Sequence, residues 1–283
     1  MTIRWDATRW LTRFQQASVS RDHESLHALR SEVFQTTVEV VRRRGYRAGD
    51  ISVGLDDEHD YDALHLGTRF YTSTDHLLVA PERRAAFRTA VQVVNADCLD
   101  VAHLVVARGE QPVVLNMANR QNPGGGVLGG AGAQEENLFR RSNLLWSLYQ
   151  FAPYASEYGV PPNAEGLRYP IPRQSGGIYS PPSSVFRSSE ATGYAFLAQP
   201  YHTAFVTVPA IPRPDVVERE GRLWLTEPMA EATRRKIQAI FRIAALNGHT
   251  SLVLSAFGCG AYRNPAHHVA RLFREVLAEA EFG

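Results

Sequence analysis

Apolar residues recur at helical spacing near the start of the chain. One helical face carries the apolar residues Leu26, Leu29, Val33, Val40 and Val41. Ser20 supplies a start signal ahead of this face, and Gly45 supplies a stop signal behind it. Residues 1–50 are therefore predicted to be helical. Residues 51–80 are mixed and acidic, which predicts loops and short strands.

From residue 81 onward, strand-like and helix-like segments alternate. The predicted strands are Thr89–Asn95, Pro112–Ala118, Ser184–Arg187, Ala204–Pro209 and Ser251–Phe257. The predicted helices cover residues 100–108 and 134–150, and two more begin after Thr226 and after Asn264-Pro265. This alternation predicts an α/β fold with a mixed or parallel sheet covered on both faces. Ligands of such sheets bind beyond the carboxyl ends of the strands, where two glycine-rich loops fall.

Composition and charge exclude several classes of function. The formal net charge of the 283-residue chain is +1, so a general electrostatic binder of duplex DNA is not expected. No apolar run approaches the roughly 20 residues that span a bilayer. Cys98 and Cys259 are the only cysteines, which excludes a disulfide framework and a cysteine-rich zinc module. A cytosolic location is expected. Lys236 is the only lysine, and no P-loop motif is present.

The most informative loop contains six glycines between residues 124 and 132. Glycine lets a backbone approach a ligand closely and direct successive N–H groups at an anion. The loop leads into a helix N-terminus, which also favours negative charge, so a phosphate or diphosphate ligand is predicted. Gly124, Gly126 and Gly129 match the dinucleotide-binding pattern, but the loop is too long for that motif's tight strand–turn–helix.

A pair of glutamates begins the helix after this loop, in the sequence Gln134-Glu135-Glu136. Glutamates in a first turn can simply complement the helix dipole. Adjacent helical residues diverge by about 100°, so the two carboxylates cannot flank one scissile bond as the paired acids of an ordinary glycosidase do. We expect one carboxylate to act chemically and the other to hold substrate.

The glycine triplet 124–126, seven further residues and then Gln-Glu-Glu resemble the signature of poly(ADP-ribose) glycohydrolases. The Asn-Pro-Gly-Gly-Gly lead-in and the short chain resemble the bacterial-type branch. The resemblance implies a macrodomain over residues 81–283, which is an ADP-ribose-binding three-layer α/β/α sandwich with a mixed central sheet. It implies an N-terminal helical extension over residues 1–80. The implied reaction needs no cofactor and no metal.

The resemblance also implies roles for individual residues. Glu136 matches the catalytic acid/base, and Glu135 matches the glutamate that contacts ribose hydroxyls and orients the substrate. Asn119 matches an asparagine that binds the distal ribose. The loop amides of Gly124, Gly125 and Gly126 are expected near that ribose and the diphosphate, and Gln134 completes the substrate-binding motif.

A second loop, residues 256–265, resembles the diphosphate loop of macrodomains. Its substrate-binding candidates are Gly258, Gly260, Ala261 and Tyr262. Tyr262 stands where the bacterial branch usually has a phenylalanine that positions the distal ribose, and its alternative role is to close the core. Asp97 resembles the macrodomain aspartate that contacts adenine, and it would equally serve as a helix N-cap.

The implied reaction is hydrolysis of the ribose–ribose O-glycosidic bond of poly(ADP-ribose), with ADP-ribose as product. The implied partners are the polymer and ADP-ribosylated proteins, within the DNA damage response. Alternatives are a macrodomain reader that binds ADP-ribose without cleavage, and a hydrolase of mono-ADP-ribosyl groups. A zinc enzyme is a further alternative, because His23 and His27 have i,i+4 spacing, but no third ligand is evident.

Overall fold

A computed structural model describes residues 3–55, 61–77 and 89–282. The described residues form helices α1 (Ala7–Ser20), α2 (His23–Arg43), α3 (Tyr61–Gly67), α4 (Cys98–Val106), α5 (Gln134–Arg141), α6 (Leu144–Leu148), α7 (Glu227–Leu246) and α8 (Ala266–Leu277). Single 3₁₀ turns cover Val127–Gly129, Tyr149–Phe151, Ala155–Tyr158 and Glu190–Thr192.

The described strands are β1 (Gly45–Ala48), β2 (Ile51–Gly54), β3 (Arg69–Tyr71), β4 (Pro112–Met117), β5 (Gly177–Arg187), β6 (Phe196–Val208), β7 (Val216–Arg219), β8 (Arg222–Leu225) and β9 (Ser251–Val253). Five of them form one sheet in the order β3-β5-β6-β4-β9. Strand β4 pairs with β9 in parallel, and β3 pairs with β5 in antiparallel fashion, so the sheet is mixed. The predicted α/β class with a mixed central sheet is confirmed. Strands β1 with β2 and β7 with β8 form separate antiparallel ribbons.

The chain divides into two compact units. The first unit holds residues Met1–Thr68, Gln121–Tyr169 and Ser180–Phe205, and the second holds Arg69–Arg120, Pro170–Tyr179 and Val206–Gly283. Strands β5 and β6 contribute residues to both. The domain boundary predicted at residue 80 lies outside the described residues and stays a prediction.

Capping residues explain the N-terminal helices of the first unit. Asp6 caps α1 by accepting the N–H of Arg9, and Asp22 caps α2 by accepting the N–H of Ser25. Such caps each stabilise a helix by about 1 kcal/mol. The predicted start at Ser20 is corrected, because α1 ends there and α2 has its own cap. Their shared core holds Trp10, Ala17, Leu29, Val33 and Tyr194.

The second unit is built around β4, whose Val113, Val114 and Leu115 are fully buried. Such a run is typical of a strand covered on both faces. The strand predicted at Thr89–Asn95 is wrong. No strand is assigned to these residues, and Val93 is 97% exposed, because alternation alone gives the segment no partner to pair with.

Two further predicted elements are corrected by packing. The helix predicted over residues 134–150 is broken at Ser142, which pairs with Val185 in an isolated β-bridge. The strand predicted to end at Phe257 ends at Val253, so the loop after it is longer than expected.

Candidate active site

Two of the three residues in the turn 124–126 have a backbone conformation that favours glycine. Gly124 and Gly125 have φ values of +78° and +54°, a region that side-chain-bearing residues rarely adopt. A Cβ on Gly124 would lie 2.9 Å from the ring of Phe139, and a Cβ on Gly125 would lie 2.5 Å from Oε1 of Glu136. The turn therefore needs glycine both for its backbone conformation and for its close approach to α5.

Both glutamates at the start of α5 face this turn. Glu135 is 3% exposed and Glu136 is 7% exposed. The N–H of Gly124 donates to Oε1 of Glu135 at 3.1 Å, and the N–H of Gly126 donates to Oε1 of Glu136 at 2.8 Å. The two side chains point in different directions, as helix geometry requires. Their carboxylates accept N–H groups from residues two positions apart in one turn. This arrangement agrees with separate roles for the two acids.

The amides of the glycine triplet serve the protein itself. The N–H of Gly125 donates to the carbonyl of Asn122 at 3.2 Å, and those of Gly124 and Gly126 donate to the two carboxylates. The resemblance implies that these amides lie near the distal ribose and the diphosphate of a substrate, and the structure shows that within the chain they bind protein acceptors. They hold the acids in place, and any contact of this turn with substrate stays a prediction.

One carboxylate oxygen of Glu136 differs from the other three of the pair. Oε2 of Glu136 is buried and has no hydrogen-bond partner within the described part of the chain. Burying an unsatisfied polar atom costs about 1–3 kcal/mol, and more for a charged group, so such an atom in a folded protein calls for an explanation. Oε1 is fixed by Gly126, whereas no hydrogen bond from the described part of the chain fixes Oε2.

The charge of Glu135 contributes to the raised pKa values of three tyrosines. Burial raises the pKa of Tyr154 to about 12, and the charge of Glu135 adds to that effect. Burial likewise raises the pKa values of Tyr149 and Tyr169, again with a contribution from Glu135. These phenols are therefore neutral at physiological pH. The sequence did not predict these tyrosines as site residues, because no local sequence feature distinguishes a tyrosine-rich loop near a site.

Residues of helix α2 contact the second half of the glycine-rich loop. The hydroxyl of Ser31 donates to the carbonyl of Leu128 at 2.7 Å. Gly130 lies against the backbone carbonyl of His27, so closely that a Cβ there would overlap it. The guanidinium of Arg30 lies against Gly132. Three α2 residues on one helical face thus fix a loop about 100 residues away in sequence, which no local pattern could reveal.

In the second unit, the loop over residues 256–265 is fixed by Asn264. Its Nδ2 donates to the carbonyls of Ile211 at 2.8 Å and of Gly258 at 3.0 Å. Gly258 has φ +72°, and a Cβ there would lie 2.6 Å from that same nitrogen. Gly260 is exposed, with open space where a Cβ would stand. Ala261 is also exposed.

Helix α8 begins directly after this loop. Its N-cap is Pro265, whose side chain makes no capping hydrogen bond, and the first N–H groups of a helix generally favour negative charge. Tyr262 is half-buried, and its carbonyl accepts the N–H of Arg213 at 2.9 Å. These features agree with the predicted diphosphate loop, although ligand contacts of Gly258, Gly260, Ala261 and Tyr262 stay predictions.

The remaining candidates occupy defined positions. Oδ1 of Asp97 accepts the N–H groups of Leu99 at 2.9 Å and Asp100 at 3.2 Å, so Asp97 is the N-cap of α4. Its contact with adenine stays a prediction. Asn119 lies two residues beyond β4 and is half-buried in the second unit. Gln134 is the first residue of α5 and is half-buried in the first unit.

A known protein family matches the part of the chain that contains the glycine turn and the paired acids. Residues 34–188 match the catalytic domain of microbial-type poly(ADP-ribose) glycohydrolase, abbreviated PARG. The match covers more than half of the chain and includes the turn and both glutamates. The chain belongs to the microbial-type PARG family.

Solved PARG structures resemble the chain over most of its length. PARG from Thermomonospora curvata bound to the inhibitor ADP-HPD is 31% identical, with a TM-score of 0.65, and the match covers 86% of this chain and 84% of that one. A further structure of the Thermomonospora curvata enzyme is 28% identical, with a TM-score of 0.66 and coverage of 89% and 90%. PARG from Deinococcus radiodurans in complex with ADP-ribose is 29% identical, with a TM-score of 0.60 and coverage of 81% and 87%.

Two other comparisons gave negative findings. No curated protein sequence matches this PARG family member. Among residues 3–55, 61–77 and 89–282, no helix is both long and apolar enough to cross a membrane.

Proposed function

We propose that this chain hydrolyses the ribose–ribose O-glycosidic bonds of poly(ADP-ribose), and that Glu136 is its general acid and base. The observation that carries the assignment is the buried Oε2 of Glu136, which has no partner in the described part of the chain. A general acid needs one oxygen free to reach the leaving group. Family membership supports hydrolysis over the alternative of a reader that only binds.

The hydrogen bond from Gly126 assigns the two oxygens of Glu136 different tasks. Because Oε1 accepts that N–H, the transferable proton is carried by Oε2. Oε2 donates this proton to the leaving 2′-oxygen as the glycosidic bond breaks and an oxocarbenium-like ribose develops. Water then attacks the ribose, and its proton passes to the Oε2 carboxylate, which restores the acid.

Glu135 has a positioning role in this proposal. Its Oε1 is fixed by Gly124, and its neighbours include neutral tyrosine phenols. A fixed carboxylate accepts hydrogen bonds from ribose hydroxyls, which orients the sugar for proton transfer. Asn119 contacts the distal ribose, and the loop over residues 256–265 holds the diphosphate at the open start of α8.

The test compares two matched Glu→Gln changes at helix starts. Glu136→Gln keeps the shape and hydrogen bonding of the side chain and removes its acidity, so polymer digestion should fall by about 100-fold or more. ADP-ribose binding, measured by calorimetry, should persist. Glu24→Gln, in the exposed first turn of α2, is the control and should digest polymer normally. Normal digestion by Glu136→Gln would refute the assignment.

We further propose that the enzyme acts in the cytosol on polymer attached to proteins, releasing ADP-ribose. Neither Cys98 nor Cys259 forms a disulfide in the described part of the chain, as expected in a reducing compartment. Cell fractionation, with digestion of automodified polymerase as the substrate, tests this extension. Recovery of the enzyme only outside the cytosol would contradict it.

A further inference from the structure

An ion pair joins two distant segments of the first unit. Nε and Nη2 of Arg30, on α2, donate to the two carboxylate oxygens of Glu190 at 2.7 and 2.9 Å. The side chains are 18% and 26% exposed, so solvent screens the pair only in part. A two-pronged arginine–carboxylate contact fixes geometry better than a single hydrogen bond does.

Arg30 packs against the glycine-rich loop at Gly132. A Cβ on Gly132 would lie 2.7 Å from the central carbon of the Arg30 guanidinium. The φ of Gly132 is not in the left-handed region, so its backbone does not require glycine. A side chain at position 132 would instead force the Arg30 guanidinium to shift.

Glu190 is connected to the same loop by a second route, through two intermediate side chains. The hydroxyl of Tyr194 donates to Oε2 of Glu190 at 3.0 Å, and Nε of Arg140 donates to that hydroxyl at 3.0 Å. Nη1 of Arg140 then donates to the carbonyl of Ala131 at 2.9 Å. Arg140 is fully buried on α5, the helix that carries Glu136.

Ala131, which Arg140 holds, is bonded to the glycine turn. The N–H of Ala131 donates to the carbonyl of Gly126 at 3.2 Å, and Gly126 in turn holds Oε1 of Glu136. A Cβ on Gly126 would lie 2.9 Å from that of Ala131, so the two segments are in contact. The path from Arg30 and Glu190 to the carboxyl of Glu136 is therefore continuous.

We propose that Arg30 and Glu190 are positioning residues for hydrolysis. They fix Ala131 and Gly132. These two residues in turn fix the Gly126 amide, which orients the carboxyl of Glu136. The inference rests on the proposed function of Glu136. Neither residue belongs to the motif that identifies the site, and they are separated by 160 positions in sequence.

The main test is Arg30→Gln, with Arg13→Gln as a matched control. Arg13 forms an exposed 3.0 Å ion pair with Glu32 between α1 and α2. For Arg30→Gln, kcat should fall about tenfold, while KM and the Kd for ADP-ribose change less than about twofold. Glu190→Gln should have the same effect on kcat. In the double variant, kcat should fall little further than in either single variant.

A second test uses the close contact at Gly132. Gly132→Ala places a methyl group against the Arg30 guanidinium, so kcat should fall. In an Arg30→Ala background the added methyl group has room, and Gly132→Ala should then cause no further loss. Equal losses in both backgrounds would overturn the proposed contact.

Amide hydrogen exchange separates this inference from the proposed function. The Gly126 N–H should exchange faster in Arg30→Gln than in Arg13→Gln, because its bond to Glu136 loosens. If the wild-type chain digests no polymer, the proposed function fails, and Gly126 exchange still decides whether Arg30 holds the turn. Unchanged kcat and unchanged Gly126 exchange, with only a lower Tm, would reduce Arg30 and Glu190 to a structural role and overturn the inference.

Discussion

Two glycine-rich loops of this PARG lie between a strand and a helix, yet they use their polar groups differently. In the first, the amides of Gly124 and Gly126 bind the chain's own glutamates. In the second, Asn264 ties the loop together, and the next helix begins at Pro265 without a side-chain cap. The first loop therefore binds the acids that follow it, whereas the second is followed by a helix without a side-chain cap.

The difference arises from the residues that come directly after each loop. The first loop precedes Glu135 and Glu136, whose carboxylates turn back and accept the loop amides. The second precedes Pro265 and Ala266, which offer no such acceptor. A glycine-rich loop therefore predicts available N–H groups, and the residues after it decide whether they serve the protein or a ligand.

Of these variants, Gly125→Ala should lose the most activity, and the loss should be in turnover more than in ligand binding. The added Cβ would lie 2.5 Å from Oε1 of Glu136 at a φ of +54°, so the turn and the carboxyl must both move. Displacing a catalytic group by about 1 Å can reduce turnover by about 100-fold. Steady-state polymer digestion measures the loss.

Gly129→Ala is the control within the same loop, since Gly129 has open space for a Cβ and no positive φ. It should digest polymer at close to the wild-type rate. Equal activity of Gly125→Ala and Gly129→Ala would show that the close approach of the turn to Glu136 has no catalytic value.

Gly258→Ala should lose less activity, and the loss should be in ligand binding more than in turnover. Its Cβ would crowd Nδ2 of Asn264 at a φ of +72°, which costs about 1–3 kcal/mol of folding stability. ADP-ribose affinity measured by calorimetry should fall, and kcat should fall less than in Gly125→Ala. Gly260→Ala, where a Cβ has open space, is its control. A larger loss of kcat than of affinity would contradict the division of roles.

The smallest expected effect is a pH dependence at helix α8. Burial lowers the pKa of His268 below 6.5, with further lowering by His267 and Arg271, and Nδ1 of His268 accepts the N–H of Leu225 at 3.0 Å. The unfolded chain then binds more protons than the folded one just below pH 6.5, so the free energy of unfolding should fall as pH drops through that range.

Urea unfolding at about pH 7.5 and about pH 5.5 measures this dependence. His268→Asn keeps an acceptor for the Leu225 N–H and does not titrate, so it should lose part of the pH dependence. The remainder should persist, because burial also lowers the pKa of His249. An identical pH dependence in wild type and variant would exclude His268 as its source.

Periodicity predicted the fold where an element buries its own apolar face. The helix that begins after Thr226 and the strand starting at Pro112 both form where predicted, because their apolar residues are buried. Thr89–Asn95 fails, since its valines alternate but remain exposed. The helix predicted over residues 134–150 fails at Ser142, where pairing with Val185 overrides local propensity.

The same distinction between local and long-range features applies to the candidate site. Glu135, Glu136 and the glycine triplet are close in sequence, so a motif identifies them. Arg30 and Glu190 meet only after the chain has folded, and nothing local marks either residue. The direction of the loop amides was also hidden, because a glycine run shows that N–H groups are available and does not show what they bind.

The most direct measurement is a crystal structure of the Glu136→Gln variant bound to a two-unit ADP-ribose oligomer. We predict that one side-chain atom of residue 136 keeps the Gly126 N–H and that the other lies about 2.6–3.2 Å from the glycosidic 2′-oxygen. A complex in which that oxygen lies beyond hydrogen-bond reach of residue 136 and beside a different acid would contradict it.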